Sequence, residues 1–483
     1  MEKPGPSIGR IWRIFLVVAK WTIGVLFVLG ALFIGINWFD EDLSPEARAL
    51  LIAPPNPYKP EENLYMALLG FDAKDGESPI AIAQERIAAY EKEIAAALKD
   101  PPRDMHEFPD SAWQKRGKLE FQGKADFCQP LTKSCLAGVE TRKAEIDRLL
   151  RANRELYRRY SRLHGLKGYY ETATPSFYIL VPYAPRPVRQ LYLANIALRV
   201  KSSTGLRQKA AIADLRDDIS VWRRNLTGSG SLISKFIAVA NLQGDYAVFA
   251  DIIADGKLDL EGFLPEIRSA LELSESESKI GKLFAFEYRI SAFLWDQLRA
   301  TKGKRLLEDS ASEGRGWWER LFDQATSLFI KINATQNLDA KVKMQQQKMA
   351  DVDPAQFFVE RDAYRHWLRD NVGFGMHYVY NPFGKILINV ASSSGYENYS
   401  LRAYDGAAFQ RLVRLGYEIR TQKIADKAIP SFMRQHPQWA SHPVDGRPFV
   451  WDEEKREISV QTLGQQPKDR RFSIPVWGAT PLN

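Results

Sequence analysis

The chain's six histidines, His106, His164, His366, His377, His436 and His442, are the side chains best suited to binding metal or moving protons near neutral pH. No two of them stand at the His-Glu-x-x-His or His-x-His spacing of a metal site. The densest grouping is His436 and His442 in Gln435-His-Pro-Gln-Trp-Ala-Ser-His-Pro443, with Asp445 close behind. Two imidazoles and a carboxylate so close in sequence suit a general base or part of a metal shell. Histidines beside prolines are equally the furniture of a turn, which is the expectation here. Ser392-Ser393-Ser394-Gly395 lacks the Gly-x-Ser-x-Gly elbow of a nucleophilic serine. Gly228-Ser229-Gly230 lacks the lysine and spacing of a phosphate loop. Asp72 with Asp75, and Asp351 with Asp353, read as turn carboxylates. The aromatic residues Trp317-Trp318, Phe357-Phe358, Tyr378 and Tyr380 are expected to pack a core rather than line a groove. The sequence therefore assigns no catalytic residue, no metal ligand and no cofactor site.

Cysteine offers one more chemistry. Cys128 and Cys135 are the only two in 483 residues, with Pro130 between them to favour a turn. The spacing is wider than the Cys-x-x-Cys of redox catalysis, and the neighbourhood supplies too few further ligands for zinc. A structural disulfide is expected, which implies an oxidising compartment.

Charge suggests binding rather than catalysis. The net charge is +8, and the stretch from Glu140 to Arg224 holds 18 Lys and Arg against 8 Asp and Glu. Arg142, Arg148, Arg151, Arg158 and Arg162 recur on one side of a helical pattern spanning Val139–Leu163, opposite Ile146, Leu149, Leu156 and Tyr160. They form a candidate surface for an anionic partner, with a solvated helix face as the plainer reading. Nothing points to nucleic acid.

The elements that must position these residues begin with a hydrophobic run, Trp21–Phe39, interrupted only by Thr22 and Asn37. As a helix its 19 residues would rise about 28 Å, close to the thickness of a bilayer core. Lys3, Arg10, Arg13 and Lys20 precede it, in a basic tail of residues 1–20, and Asp40, Glu41 and Asp42 follow. Positive residues stay in the cytoplasm, so residues 40–483 are expected outside. The run is too long for a signal peptide and ends without a small-x-small cleavage site, so an uncleaved anchor is expected. Five prolines in residues 43–62 suggest a stalk, spanning 40–62. A helical domain is expected over 63–428. Within it Ser78-Pro79 starts a helix that runs to Leu98, and helices are expected at 186–203, 205–226 and 229–254. Others follow around 262–274, 278–301, 314–335, 336–350, 354–371 and 398–423. Short polar connections suggest antiparallel hairpins resembling a helical repeat, although no fixed period is present. Residues 429–483 read as an irregular cap with a short hairpin, Gly446–Trp451 against Glu457–Val460.

Three stretches carry a resemblance: Glu62–Ala73, the segment Cys128 to Ala137, and Asn381-Pro-Phe-Gly-Lys-Ile-Leu387 with the later Pro443–Phe449. Together they resemble a group of single-pass inner-membrane proteins of proteobacteria. The resemblance implies a periplasmic helical body and brings no activity, substrate or catalytic residue with it. The expected function is a non-enzymatic envelope protein that binds a protein or an anionic component. The alternative is a membrane-anchored hydrolase centred on His436, His442 and Asp445.

Overall fold

The computed structural model describes residues 8–99, 116–126, 134–182, 185–256, 264–272, 274–300, 329–392, 395–464 and 470–477. The chain is mainly helical, with one small sheet. Helix α1 (Ile8–Ile36) contains a window, Phe15–Ile36, of mean hydropathy 2.2 that touches almost nothing else in the molecule. It is long and apolar enough to cross a bilayer. It begins well before Trp21 and stops at Ile36, so Asn37, Trp38 and Phe39 lie beyond the helix rather than in it. Arg10 falls within α1, Arg13 and Lys20 are exposed on it, and Lys3 lies outside the described residues.

The segment after α1 is not an extended stalk. Helix α2 (Pro45–Leu51) starts on an N-cap, Ser44, whose hydroxyl accepts from Ala47 N. Leu43, Ala47 and Leu50 recur at helical spacing and bury against Tyr288 and Ala340 of the body. The prolines shape a strap that lies on the body instead of holding it away.

Helices α3 (Leu64–Leu69) and α4 (Pro79–Lys99) follow, α4 starting at the expected Ser78-Pro79 signal. The single helix expected over Val139–Leu163 is two, α5 (Lys143–Ala152) and α6 (Arg154–Arg162). They break at Asn153, whose side chain is drawn off to Gln122, accepting from its N at 2.7 Å and donating to its O at 3.0 Å. Helices α7 (Arg186–Ser202), α8 (Leu206–Gly228) and α9 (Leu232–Asp255) match the three expected helices closely. α9 is apolar enough to pass as a second span, yet most of it is buried among α7, α8 and the late elements. It is a core helix, as an all-round apolar surface requires in a large body.

The repeat-like expectation is not confirmed: α7, α8 and α9 pack in sequence order, but the stacking does not continue. A solenoid stacks each helix on its sequence neighbours. α9 instead packs on α8 and on α16 (Glu397–Thr421), far along the chain. Between them come α10 (Leu264–Leu271), the single turn α11 (Glu275–Ser278), α12 (Leu283–Ala300), α13 (Ile332–Asp351), α14 (Phe357–Asn371) and α15 (Pro382–Ser392). α13 fuses the end of one expected helix with the whole of the next; Trp317 and Trp318 lie outside the described residues. α12, α13, α2 and α15 make a second apolar layer around Trp295, Val342, Val372 and Ile388.

The C-terminal region is better ordered than a cap of irregular chain. After α17 (Ile429–Gln435) and α18 (Pro437–Ala440), three antiparallel strands form a meander, β1 (Val450–Asp452), β2 (Glu457–Gln461) and β3 (Arg471–Pro475). The hairpin is as expected; β3 was not. Ile458, Val460, Phe472 and Ile474 alternate to one face and join the main core, with Phe472 against Phe409 of α16 at 4.9 Å between ring centres.

Candidate functional site: a cationic cavity under the strap

The strap, the loop 167–175, the α8–α9 turn and α12 together enclose a cavity of 790 Å³. Its walls follow from local chemistry. Tyr58 lies so close to Gly168 that a Cβ there would meet the phenol oxygen at 2.1 Å. At Gly228 a Cβ would meet Tyr169 O at 2.0 Å, and at Gly230 the Phe286 ring at 2.7 Å. The Gly-Ser-Gly motif thus serves close packing. It is no phosphate cradle either, because its amides are already engaged: Gly230 N and Ser231 N donate to Glu171 Oε1 at 3.0 and 3.1 Å. Glu287 accepts from Leu232 N at 2.9 Å, so two carboxylates hold the N-terminus of α9. Burial nevertheless pushes both carboxyls above their ordinary range.

The remaining wall is cationic. Lys167, Arg223, Arg224, Lys282 and Arg289 line the cavity, against Glu171 and Glu277. Arg223 is committed to Glu277, donating from Nε at 2.6 Å and from Nη2 at 2.9 Å. Burial works against the Arg223 charge, and this carboxylate more than offsets it. Lys167 pairs with Glu62 at 2.7 Å. Arg224, Lys282 and Arg289 have no carboxylate within ion-pair distance among the described residues; their partners are the carbonyls of His164, Thr227 and Leu50. Burial lowers the pKa of all three. The Nε atoms of Arg224 and Arg289 are buried without a hydrogen-bond partner. The strap lines the same cavity with Ile52, Pro54, Pro55 and Pro57, and Arg289 donates to its Leu50 O at 3.3 Å. A lining that combines partly dry arginines with apolar side chains suits a molecule with an anionic group and an apolar body.

The arginines singled out in the sequence do not all gather here. Arg142 pairs with Glu145 and Asp126 at 2.8 and 3.0 Å, and Arg158 with Glu155 at 2.5 Å. Arg148 and Arg151 are exposed on α5. Arg158 and Arg162 line a second, smaller cavity of 490 Å³ together with Arg159. Arg159, which the sequence stripe did not include, is buried: it donates to Phe71 O at 3.0 Å, Lys74 O at 2.9 Å and Glu155 Oε1 at 2.9 Å, and also to Ala73 O.

His442 is a structural staple. Its Nδ1 accepts from Val444 N at 3.2 Å, which leaves Nε2 to donate to Asp405 at 3.3 Å. Asp405, wholly buried on α16, also accepts from Leu463 N and Gly464 N. Asp445 lies 3.8 Å from the His442 ring and is spent on Arg447. His436 stacks on Trp439 outside. These residues line none of the three described cavities. Among the described residues no group of three or more His, Cys, Asp and Glu could hold a metal. Ser392 is buried at the end of α15, and Ser393 and Ser394 lie outside the described residues. Cys135 is buried; Cys128 lies outside them as well.

Deeper in the core is a cluster that sequence patterns did not suggest. Arg189 of α7 donates to Asp245 of α9 and lies 3.6 Å from Asp218 of α8. Tyr160 donates to Asp218 at 2.7 Å, and His164 stands 3.7 Å from it. Both aspartates are fully buried. Burial drives the Asp245 carboxyl well up, while its hydrogen bonds and Arg189 hold Asp218 below its ordinary value despite burial. One arginine and two carboxyls thus form a buried charged cluster, in which Arg189 Nε, Asp218 Oδ2 and Asp245 Oδ2 make no hydrogen bond among the described residues. No family model matches the chain, and no curated protein or solved structure is detectably similar to it, so the cavity's chemistry has to speak for itself.

Proposed function

We propose that this is a membrane-anchored, non-enzymatic binding protein of the bacterial envelope, with α1 as an uncleaved single-pass anchor and the helical body in the periplasm. Its site is the cavity under the strap, and its ligand is an anionic amphiphile such as a phosphate-bearing lipid. The observation that carries this reading is the trio Arg224, Lys282 and Arg289, partly desolvated and with no carboxylate in ion-pair distance among the described residues, in a cavity that the apolar strap also lines. The basic residues Arg10, Arg13 and Lys20 at the N-terminal end of α1 and the acidic residues after it support the orientation, and a Cys128–Cys135 disulfide would suit the same compartment. The exposed arginines Arg148, Arg151 and Arg162 add an attractive field for such a ligand or for an acidic protein partner.

The test uses full-length protein in neutral detergent. Fluorescent lysophosphatidylglycerol should bind, and lysophosphatidylcholine, whose headgroup has no net charge, should bind far more weakly. Arg224→Gln combined with Arg289→Gln should erase most of the difference. Equal binding of the two lipids, or a preference that survives the double substitution, would sink the proposal.

A further inference from the structure

The segment from Val372 to Ser392, comprising a loop and α15, lies directly against the end of α1. Asn37, the first residue past that helix, is fully buried. Its Nδ2 donates to Val379 O at 2.7 Å, and its Oδ1 accepts from Asn381 N at 2.9 Å. Asn381 sits at φ 53°, a left-handed conformation that asparagine tolerates better than most residues. It is held there by two further bonds: its Oδ1 accepts from Lys331 N and its Nδ2 donates to Thr335 Oγ1, both at 2.9 Å. Tyr380 Oη reaches Phe39 O at 3.4 Å. The contact is therefore specific and repeated rather than a graze.

The segment turns its polar groups inward and its apolar ones outward. Tyr378 Oη donates to Val372 O at 2.8 Å, and Lys385 Nζ donates to Tyr380 O at 2.9 Å and to His377 O. What remains outside is apolar: Phe374 is 79% exposed and Met376 88%, with Val379, Ile386 and Val390 also exposed. A patch of this kind on a soluble body calls for a covering surface. The position of the patch says which one. The apolar span of α1 ends at Ile36, so Asn37 stands at the level where a bilayer's hydrocarbon gives way to headgroups. Whatever is hydrogen-bonded to Asn37 stands at that level too. Trp38, Phe39 and Tyr380 supply the aromatic residues that favour this depth.

We propose that residues 372–392 form a second, monotopic membrane contact: the loop tip at Phe374 and Met376 and the outer face of α15 lie in the lipid interface beside the spanning helix. The inference rests on the reading of α1 as an anchor and is independent of what the cavity binds.

Met376→Cys, Leu29→Cys within α1 and Leu206→Cys at the start of α8 would each be labelled with an environment-sensitive fluorophore. The full chain would carry them in phosphatidylethanolamine–phosphatidylglycerol vesicles with or without a shallow doxyl-labelled lipid, the parent chain measuring background labelling. The Met376 and Leu29 probes should be blue-shifted and quenched, and the Leu206 probe, on a residue 85% exposed, should be neither. A Met376 probe that matches Leu206 while Leu29 is quenched overturns the second contact and leaves the anchor standing. Loss of quenching at both positions overturns the two together.

Discussion

Two clusters of charge in this molecule use the same side chains to opposite ends. In the core, Arg189 is enclosed by Asp218, Asp245 and Tyr160, and its charge is answered from within the chain. Under the strap, Arg224, Lys282 and Arg289 are also partly buried but find carbonyl oxygens and, for Arg289, the Phe286 ring, with no carboxylate in ion-pair distance among the described residues. The first arrangement pairs charge with charge, although Arg189 Nε, Asp218 Oδ2 and Asp245 Oδ2 make no hydrogen bond among the described residues. The second leaves cationic groups half desolvated with no ion pair among the described residues, only the longer-range field of Asp217 on Arg224 and of Asp351 on Lys282, which costs stability. The difference separates charge paired within the fold from charge that the proposed function assigns to a ligand.

Substitution can break that comparison. Arg189→Met strands two buried aspartates and should cost about 3–5 kcal/mol in urea unfolding of the detergent-solubilised protein. A loss under about 1 kcal/mol would mean the cluster is not closed. Arg159→Gln removes the clamp on three backbone carbonyls and should cost about 2–4 kcal/mol, whereas Arg162→Gln, on the exposed side of the same helix, should stay within about 0.5 kcal/mol.

Asp251 is the intermediate case, a half-buried carboxylate of α9 that accepts from Ser134 Oγ at 2.6 Å and has no cation in ion-pair distance among the described residues. Burial lifts its pKa from 3.8 to about 6. The folded state therefore holds this proton more tightly than the unfolded chain. Its stabilising contribution is full below about pH 4 and is lost as pH rises through 6. Asp251→Asn should flatten the fall in stability between pH 4 and 7 by about 1–2 kcal/mol, and an unchanged slope would show that the group titrates normally. The smallest effect on the fold belongs to the open cluster. Arg224→Gln with Arg289→Gln should leave unfolding within about 0.5 kcal/mol of the parent or slightly above it, while anionic lysolipid binding falls about tenfold or more. A large loss of stability would place these arginines among the fold-building charges instead.

Much of the helical frame was legible because its signals are local. Ser78-Pro79 starts α4, and the short polar connections around Gly205 and Gly228-Ser-Gly230 delimit α7, α8 and α9. What escaped depends on contacts between distant residues. The break at Asn153 is made by the backbone of Gln122, and no propensity within 139–163 demands it. Prolines hid α2, although Leu43, Ala47 and Leu50 already had the spacing of a buried face. Asp40 and Glu41 read as topology signals, yet both also have structural roles: Asp40 accepts from Asn333 N and Ala334 N to cap α13, and Glu41 accepts from Asn337. The cavity was half visible, since Arg223 and Arg224 fall in the basic stretch. Lys282 and Arg289 join them only through the fold. The arginine stripe of α5 and α6 was the louder signal and proved mostly solvated or ion-paired.

The carboxylate cap on α13 has a mechanical consequence. A body on a loose tether would sweep a hemisphere above the membrane and sample every orientation. Here Asp40 and Asn37 lock the base of the body to the end of α1 within a few residues of its exit. With α1 in a bilayer, the molecule keeps one tilt and one height and can only slide and spin in the plane. Its cavity would then sample a single shallow layer above the lipid, and the ligand of the proposed function would be met by lateral diffusion in two dimensions rather than by reach.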